Sequence, residues 1–581
     1  MDKREIAHVF RTMGALLEIK GEDSFKVRSY ERAAESLQHC DFDLAAMANE
    51  GRLTEIPGIG KNLEPKLREL ALTGRSSFLE RLVQEVPEGL LDLLRVPGVG
   101  PKTARLLHDA LGVAGLSDLK KALAEHRVQR LPGLGRKREE LMQKGLGEIE
   151  KYAGRLSLGI ALPVLENLIA ALSNLGIEAE IVGETRRYEE TVAFLDALVL
   201  ETEGEKPQET VLRSGILPAP DATALEQAWD AALGGFTFRT SFGVPLRLFF
   251  SPRREFRAQA TALTGPDAFL HVLAKKAEER GYRFTRGCLF KGDRPLDIGS
   301  DEALFEALGA GYVPPELRHR SEFVEAAFAL APGSEDPRIR ELVSPNDIRG
   351  DLHVHTTWSD GTAGIEEMVQ AARRLRYRYI AVTDHATEIK LIRGLTPERL
   401  PAQLAEIEGL RSKYPDIRIL SGVEVDILKD GRLYLEDDVL AKLDVVVASV
   451  HQDIGNAHGE MQNRLVRAAS NPNVDVIGHA TGRLIGRRPG TQAGLVAVFQ
   501  AASTHGTALE INSSPERLDL PEGLAALAMD AGARFAICTD AHSPEALLSI
   551  RYGVFASARR AGIPRDRVIN TSPDGGTFIN S

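Results

Sequence analysis

Residues 351–361 read DLHVHTTWSDG. Side chains alternate across a strand, so His353 and His355 point to one face, and Asp360 follows in the next turn. Two ligands thus reach one cavity without a bend in the chain. Six further strand-like runs follow: YIAVTDH, RILSGVEVDI, LDVVVASVHQ, VDVIGHAT, GTALEINSS and RFAICTDAH. Helical stretches such as GIEEMVQAARRLR and LPAQLAEIEGLRSKY separate several of them, which favours parallel pairing through right-handed crossovers. Seven such units predict an incomplete or distorted barrel, and barrels carry their chemistry at the C-terminal ends of the strands.

Six of the seven runs end on a His, Asp or Glu. In chain order they supply His353, His355 and Asp360, then His385, Glu424, His451, His479, and last Asp540 and His542. Imidazole and carboxylate without thiolate suit zinc, manganese or iron better than magnesium or calcium. Nine groups exceed one tetrahedral ion, so two or three divalent ions, manganese or zinc, are expected, with Glu424 or Asp540 as a bridge. Such a site activates water and neutralises charge on phosphate oxygens, so phosphoester hydrolysis is the expected chemistry. Asp540 and His355 are the expected catalytic ligands. In the basic run after His479, residues 482–488, Arg488 is expected to grip the substrate phosphate.

Working outward, residues 331–347, APGSEDPRIRELVSPND, read as a linker rich in proline and charge. Residues from about 155 to 320 mix strands and helices in an α+β texture. Residues 1–150 read as short amphipathic helices interrupted three times by a related turn: IPGIGK at 56–61, VPGVGPK at 96–102 and LPGLGRK at 131–137. Glycine lets such a turn approach a phosphate without a Cβ in the way, and its free N–H groups bind backbone rather than sequence. Gly58, Gly60, Gly98, Gly100, Gly133 and Gly135 are the expected DNA contacts, with Lys61, Lys102 and Lys137 adding charge.

With 581 residues the chain is too long for one core. Its 43% apolar and 27% charged composition excludes disorder and fibrous classes. The formal net charge is -11, and residues 1–150 carry 24 basic and 24 acidic side chains, so DNA binding must rest on placed groups rather than bulk attraction. Three cysteines, Cys40, Cys288 and Cys538, argue against a disulfide scaffold. A reducing cytoplasm is the expectation, with no signal peptide, no membrane span and a monomeric state.

The motifs DLHVHTTWSDG, TDH, GVEVD, SVH, GHATGRL and TDAH closely resemble the PHP (polymerase and histidinol phosphatase) domain. That resemblance implies a trinuclear site in a distorted (βα)7 barrel, and manganese- or zinc-dependent phosphatase or nuclease activity at DNA 3′ ends or abasic sites. The three turns resemble helix-hairpin-helix DNA-binding motifs. The first lies in a stretch similar to the lyase domain of family X DNA polymerases, which implies Lys66 as a Schiff-base nucleophile, and Lys26 and Tyr30 as residues that hold the 5′-phosphate and line its pocket. Asn62 stands where the family has a second phosphate-binding lysine.

Residues 183–198, GETRRYEETVAFLDAL, resemble the family X palm, whose three metal-binding aspartates fall at Phe194, Asp196 and Pro245. Only Asp196 survives; with Arg186 and Arg187 it is the expected remnant of a nucleotide site, and deoxynucleotides are a further expected partner. Glu189 or Glu190 would compensate one lost ligand but not two, so polymerisation is expected to be weak or absent.

The resemblance implies a multidomain chain: an all-α helix-hairpin-helix N-terminal part (1–82 lyase-like, 83–152 fingers-like), an α+β palm and thumb (153–235, 236–325), a linker (326–347) and the PHP barrel (348–581). The expected function is DNA repair on gapped, 3′-ended or abasic DNA, as a 3′-5′ exonuclease or abasic-site endonuclease. A small-molecule phosphatase of the histidinol phosphatase type is the alternative.

Overall fold

The computed structural model describes residues 3–573 except 40–43, 88, 202–206, 214–228, 231–233, 239, 241, 286, 390–391, 453, 455–457 and 492–493. It contains two compact units, 1–153 with 485–489, and 154–484 with 490–581.

In the first unit the described residues from Lys3–Lys20 to Arg136–Lys151 form helices joined by turns, with no strand among them. Phe10, Leu16, Leu67, Leu107 and Met142, from four different helices, are fully buried in one core. The three repeats form the same turn. The carbonyls of Ile56, Val96 and Leu131 accept from the N–H three residues on, each at 3.0 Å. Proline takes the second position, and Gly58, Gly98 and Gly133 take the third with φ of +83°, +84° and +77°, as a type II turn requires. Gly100 and Gly135 then cap Pro101–Leu111 and Arg136–Lys151.

In the second unit the palm-like part, which runs partly outside the described residues, is a five-stranded sheet in the order Ala179–Ile181, Leu195–Glu201, Leu246–Pro252, Gly235–Phe238, Trp229–Asp230. Its central pair is parallel. The thumb-like part sets the antiparallel strands Tyr282–Thr285, Cys288–Lys291 and Arg294–Pro295 against helices including Asp267–Glu278. The stretch expected to be a linker is packed instead. Asp336 caps a short helix, Pro337–Glu341, and Ile339, Leu342 and Val343 are buried, so its apolar residues rather than its prolines decide its state.

The C-terminal part is a nearly closed parallel barrel. Its strands are β1 (Gly350–Asp351), β2 (Tyr379–Val382), β3 (Arg418–Asp426), β4 (Val445–Ser449), β5 (Val476–Ile477), β6 (Ala508–Asn512) and β7 (Phe535–Cys538), paired in that order, with a short strand, His385–Ala386, beside β3. Past β7, Ala541 pairs in parallel with Val354 past β1; Asp540 N donates to His353 O at 3.0 Å and His355 N to Ala541 O at 2.9 Å. Leu420, Val447, Ala508 and Ala536 belong to one buried cluster. The alternation that places them carries Glu424, Glu510 and Asp540 to the same face, farther along the strands.

Candidate metal centre

The nine expected ligands meet at the C-terminal mouth of the barrel. Glu424, near the end of β3, is the hub. Its Oε1 lies 3.0 Å from His479 Nε2, 3.3 Å from His451 Nε2 and 3.5 Å from His353 Nε2. Its Oε2 lies 2.6 Å from His385 Nδ1 and 3.6 Å from His355 Nε2. Asp540 Oδ1 is 3.0 Å from His355 Nε2 and 3.7 Å from His353 Nε2. Asp360 completes the outer edge, 3.5 Å from His385 and 3.4 Å from His542. His353 and His355 are fully buried, whereas the Asp360 and His542 side chains are 36% and 39% exposed. The cluster thus has a closed floor and an open rim.

Backbone geometry helps to aim the last strand's ligand. Asp540 sits at φ +55°, in the left-handed region that aspartate tolerates better than most residues.

These groups fit cations. Three overlapping sets bring their ligand atoms within 4.8 Å of one another: His355, Asp360, His385 and His542; His353, His355 and Asp540; His385, Glu424 and His451. His355 Nδ1 and His479 Nδ1 are buried without a hydrogen-bond partner, while Glu424 Oε2 and His385 Nδ1 are buried against each other at 2.6 Å. Buried polar atoms are normally satisfied, so such a group of lone pairs facing a shared space is what ligands around an ion present.

The carboxylates and most of the histidines hold one another charged. Against their burial, the surrounding carboxylates raise His353, His385 and His542 above the ordinary imidazole value and His451 to about 9, so cation binding has to release their protons. Burial opposes charge on Glu424, yet His451, His385 and His353 hold it well below the usual carboxylate range. Asp540 is lowered likewise, against its burial, by His353, His355 and His542. Burial, reinforced by the neighbouring His542 and His385, pushes His355 down to about 3, so its ring stays neutral.

Several supporting residues had not been singled out from the sequence. Glu510 on β6 takes His353 Nδ1 at 2.7 Å and His479 N at 2.6 Å. Asp426 takes His451 Nδ1 at 2.6 Å. Outer carboxylates of this kind fix ring orientation and tautomer. The sixth run, which had supplied no ligand, therefore supplies an orienting acid; its signal was a glutamate inside an otherwise apolar strand. Arg517 also reaches the cluster, with Nε 3.6 Å from Asp540 Oδ2. Arg488, expected to serve the phosphate, belongs to segment 485–489 of the helical unit. Among the described residues of the second unit, Arg517 is an arginine in contact with the candidate ligands.

The surviving palm carboxylate has a different fate. Asp196 Oδ1 and Oδ2 accept from Arg247 Nε and Nη2, both at 2.7 Å. Arg186 donates to Asp301 at 3.0 Å, and Arg187 donates to Thr264 O. Both expected nucleotide ligands are committed to internal partners. Glu189 pairs with Arg187 and Arg560, and Glu190 with Arg483.

In the helical unit, Lys66 Nζ lies 4.8 Å from the centre of the Phe78 ring and donates to Asn62 O at 2.7 Å. Burial, then Lys26 and Arg81, lowers its pKa from the ordinary lysine value. Tyr30 does not line an open pocket: it is 2% exposed, with Phe10 and Phe78 ring centres 5.9 and 6.0 Å away. Gly60, Gly100 and Gly135 have open space where a Cβ would stand, and Lys61, Lys102 and Lys137 are exposed.

Fold and ligand cluster define a metal-dependent phosphoesterase domain joined to helix-hairpin-helix and polymerase-type parts. Four family models match the chain: a helix-hairpin-helix domain at 1–76, a SAM-like helix-hairpin-helix tandem at 90–148, a DNA polymerase beta thumb at 260–319 and a PHP domain at 351–514. The chain is 35% identical to the "DNA polymerase/3'-5' exonuclease PolX" of Bacillus subtilis (strain 168), over 98% of this chain and 97% of that relative. It is also 30% identical, over 38% of its length, to 89% of a "Probable phosphatase" of Thermoanaerobacter sp. (strain X514), and 28% identical, over 38%, to 90% of another from Citrobacter koseri. The chain belongs to the family X DNA polymerases that carry a PHP domain.

Proposed function

We propose that this protein hydrolyses phosphodiesters at DNA 3′ ends and abasic sites in its PHP domain, and that its palm no longer polymerises. The ligand cluster carries the reading: six histidines and three carboxylates converge on one mouth with buried lone pairs left over. Its three overlapping sets favour two or three ions, manganese or zinc. When bound, such ions supply an activated water and neutralise charge on the phosphate. Glu424, Asp540 and the histidines would hold them, while Glu510 and Asp426 fix the rings. Arg517, 3.6 Å from Asp540 Oδ2, would steady the phosphate with a guanidinium.

The three turns would hold the DNA backbone, with Lys61, Lys102 and Lys137 nearby. Lys66, with its lowered pKa, is placed to attack an open-chain abasic sugar. Loss of polymerisation follows from Asp196, which Arg247 grips at both oxygens, and from Phe194 and Pro245, which cannot bind a cation. We place the activity in the cytoplasm and in a monomer.

A smaller substrate remains the competing reading, because the barrel alone resembles proteins called probable phosphatases. The test supplies the manganese-loaded protein with 3′-tailed, gapped and abasic duplexes, and separately with p-nitrophenyl phosphate. Faster turnover of DNA by orders of magnitude supports a nuclease; the reverse order supports a small-molecule phosphatase. Primer extension from added deoxynucleotides would refute the inactive palm.

A further inference from the structure

The faces that join palm and barrel carry a line of contacts that ends on a metal ligand. Glu190 precedes the short palm strand Thr191–Val192, and its Oε2 accepts from Arg483 Nη2 at 2.7 Å. Arg483, its side chain only 12% exposed, lies in the loop after His479. It donates further to the segment after β6, through Nε to Arg517 O and Nη2 to Leu518 O, both at 2.7 Å. Asp519, fully buried, accepts from Thr481 Oγ1 at 2.8 Å and Gly482 N at 2.9 Å. Loop and segment are thereby laced together. Asn512, the last residue of β6, and Arg517 of the segment both reach Oδ2 of Asp540: Asn512 Nδ2 donates to it at 3.1 Å, and Arg517 Nε lies 3.6 Å from it.

We propose that Glu190 of the palm, acting through Arg483, is a positioning residue of the hydrolytic site that holds Arg517 against Asp540. The palm, stripped of its own metal ligands, then serves the barrel's reaction. This rests on the reading of the barrel as a phosphoesterase. Arg483 is held by three acceptors from two parts of the fold, and Glu190 is the charged one. A charge-assisted bond in a half-buried junction is stronger and more directional than a neutral one. Without it, Arg483 keeps its carbonyl partners but loses the anchor that sets where they lie. Small misplacements of groups that contact the reacting atoms cost rate rather than binding of the whole substrate.

The junction does not depend on Glu190 alone. Arg551 pairs with Glu166 at 2.6 Å, Arg560 donates to Arg187 O at 3.0 Å and pairs with Glu189 at 3.3 Å, and the rings of Tyr188 and Phe555 stack at 4.5 Å. Glu190→Gln therefore leaves palm and barrel joined while neutralising the anchor.

The experiment measures kcat, KM and bound manganese for hydrolysis of a 3′-ended duplex by the full chain, by Glu190→Gln, by Arg517→Ala and by the double variant. Glu190→Gln is expected to lower kcat about fivefold to twentyfold with KM and bound manganese unchanged. In the Arg517→Ala background the same change is expected to have no further effect, because the residue it positions is gone; a merely structural role would lower both backgrounds equally. Unchanged kcat in Glu190→Gln, or losses that multiply in the double variant, overturns the proposal. Failure of the unsubstituted protein to hydrolyse any phosphoester overturns the phosphoesterase reading itself, a separate outcome.

Discussion

Asp196 and Arg247 face each other across the paired palm strands and share two parallel hydrogen bonds, while the guanidinium lies 3.6 Å from the centre of the Phe194 ring. The arrangement turns a carboxylate on a polymerase palm into half of an ion pair. Asp196→Asn should therefore behave as a stability variant, leaving Arg247 without its charge partner. The expected cost is about 2–3 kcal/mol, below the value for a wholly buried pair because Arg247 keeps some exposure. Chemical denaturation checks the loss, and nuclease kinetics at low temperature should be unaltered. Arg247→Ala should not restore primer extension, since Phe194 and Pro245 remain.

Glu510 orients His353 and holds the backbone of His479, yet stands behind the ligands. Glu510→Ala should weaken manganese binding about 10–100-fold, in line with other orienting carboxylates. Competition titration against a chelating dye measures it. Retained affinity would mean that the His353 ring is fixed by other contacts.

Arg517→Ala should leave manganese binding intact and lower kcat about 10²-fold, the scale seen when a charge-stabilising donor is removed. Arg517→Lys should recover only part, because an ammonium lacks the two-pronged fit to phosphate. Steady-state kinetics beside metal analysis separates this from ligand loss.

Lys66 gives a pH prediction. Its folded pKa is lowered, so more of it is neutral, and nucleophilic, at a given pH than for an ordinary lysine. Borohydride trapping on a 5′ abasic end should therefore persist to lower pH than for a solvent-exposed lysine. Lys26→Ala removes a neighbouring cation, so Lys66 should lose its proton only at higher pH, and the trapping profile should move to the alkaline side. No shift would mean that burial and Arg81 set it without Lys26.

Lys61, Lys102 and Lys137 beside the three turns should each contribute to salt sensitivity. Replacing one by alanine should make the slope of log K against log salt shallower by about 0.9 for duplex DNA. Fluorescence anisotropy across a salt series tests it, and an unchanged slope excludes that turn from the DNA-binding surface.

The barrel and the convergence of nine candidate ligands were legible because strand alternation and strand ends are local properties: His353, His355 and Asp540 announce themselves within a few residues. Glu510 was passed over because it lies within a strand run rather than at its end, and its partner His353 is 157 residues away. Arg483 and Glu190 are 293 residues apart, so no spacing rule joins them. The stretch around Ile339 and Leu342 was read by its prolines and charges, whereas its few apolar side chains found a core. Tyr30 was assigned to a phosphate pocket, yet its ring packs between Phe10 and Phe78; helical spacing places a residue on a face without saying whether another helix covers it.

The most direct measurement is release of nucleotides from the 3′ end of a duplex by the full chain with manganese, run beside Glu424→Gln with bound metal quantified in both. Manganese-dependent release, lost by at least about 10³-fold in Glu424→Gln together with part of its metal, is the predicted result. Release at an undiminished rate by Glu424→Gln, or by protein stripped of metal, would contradict it.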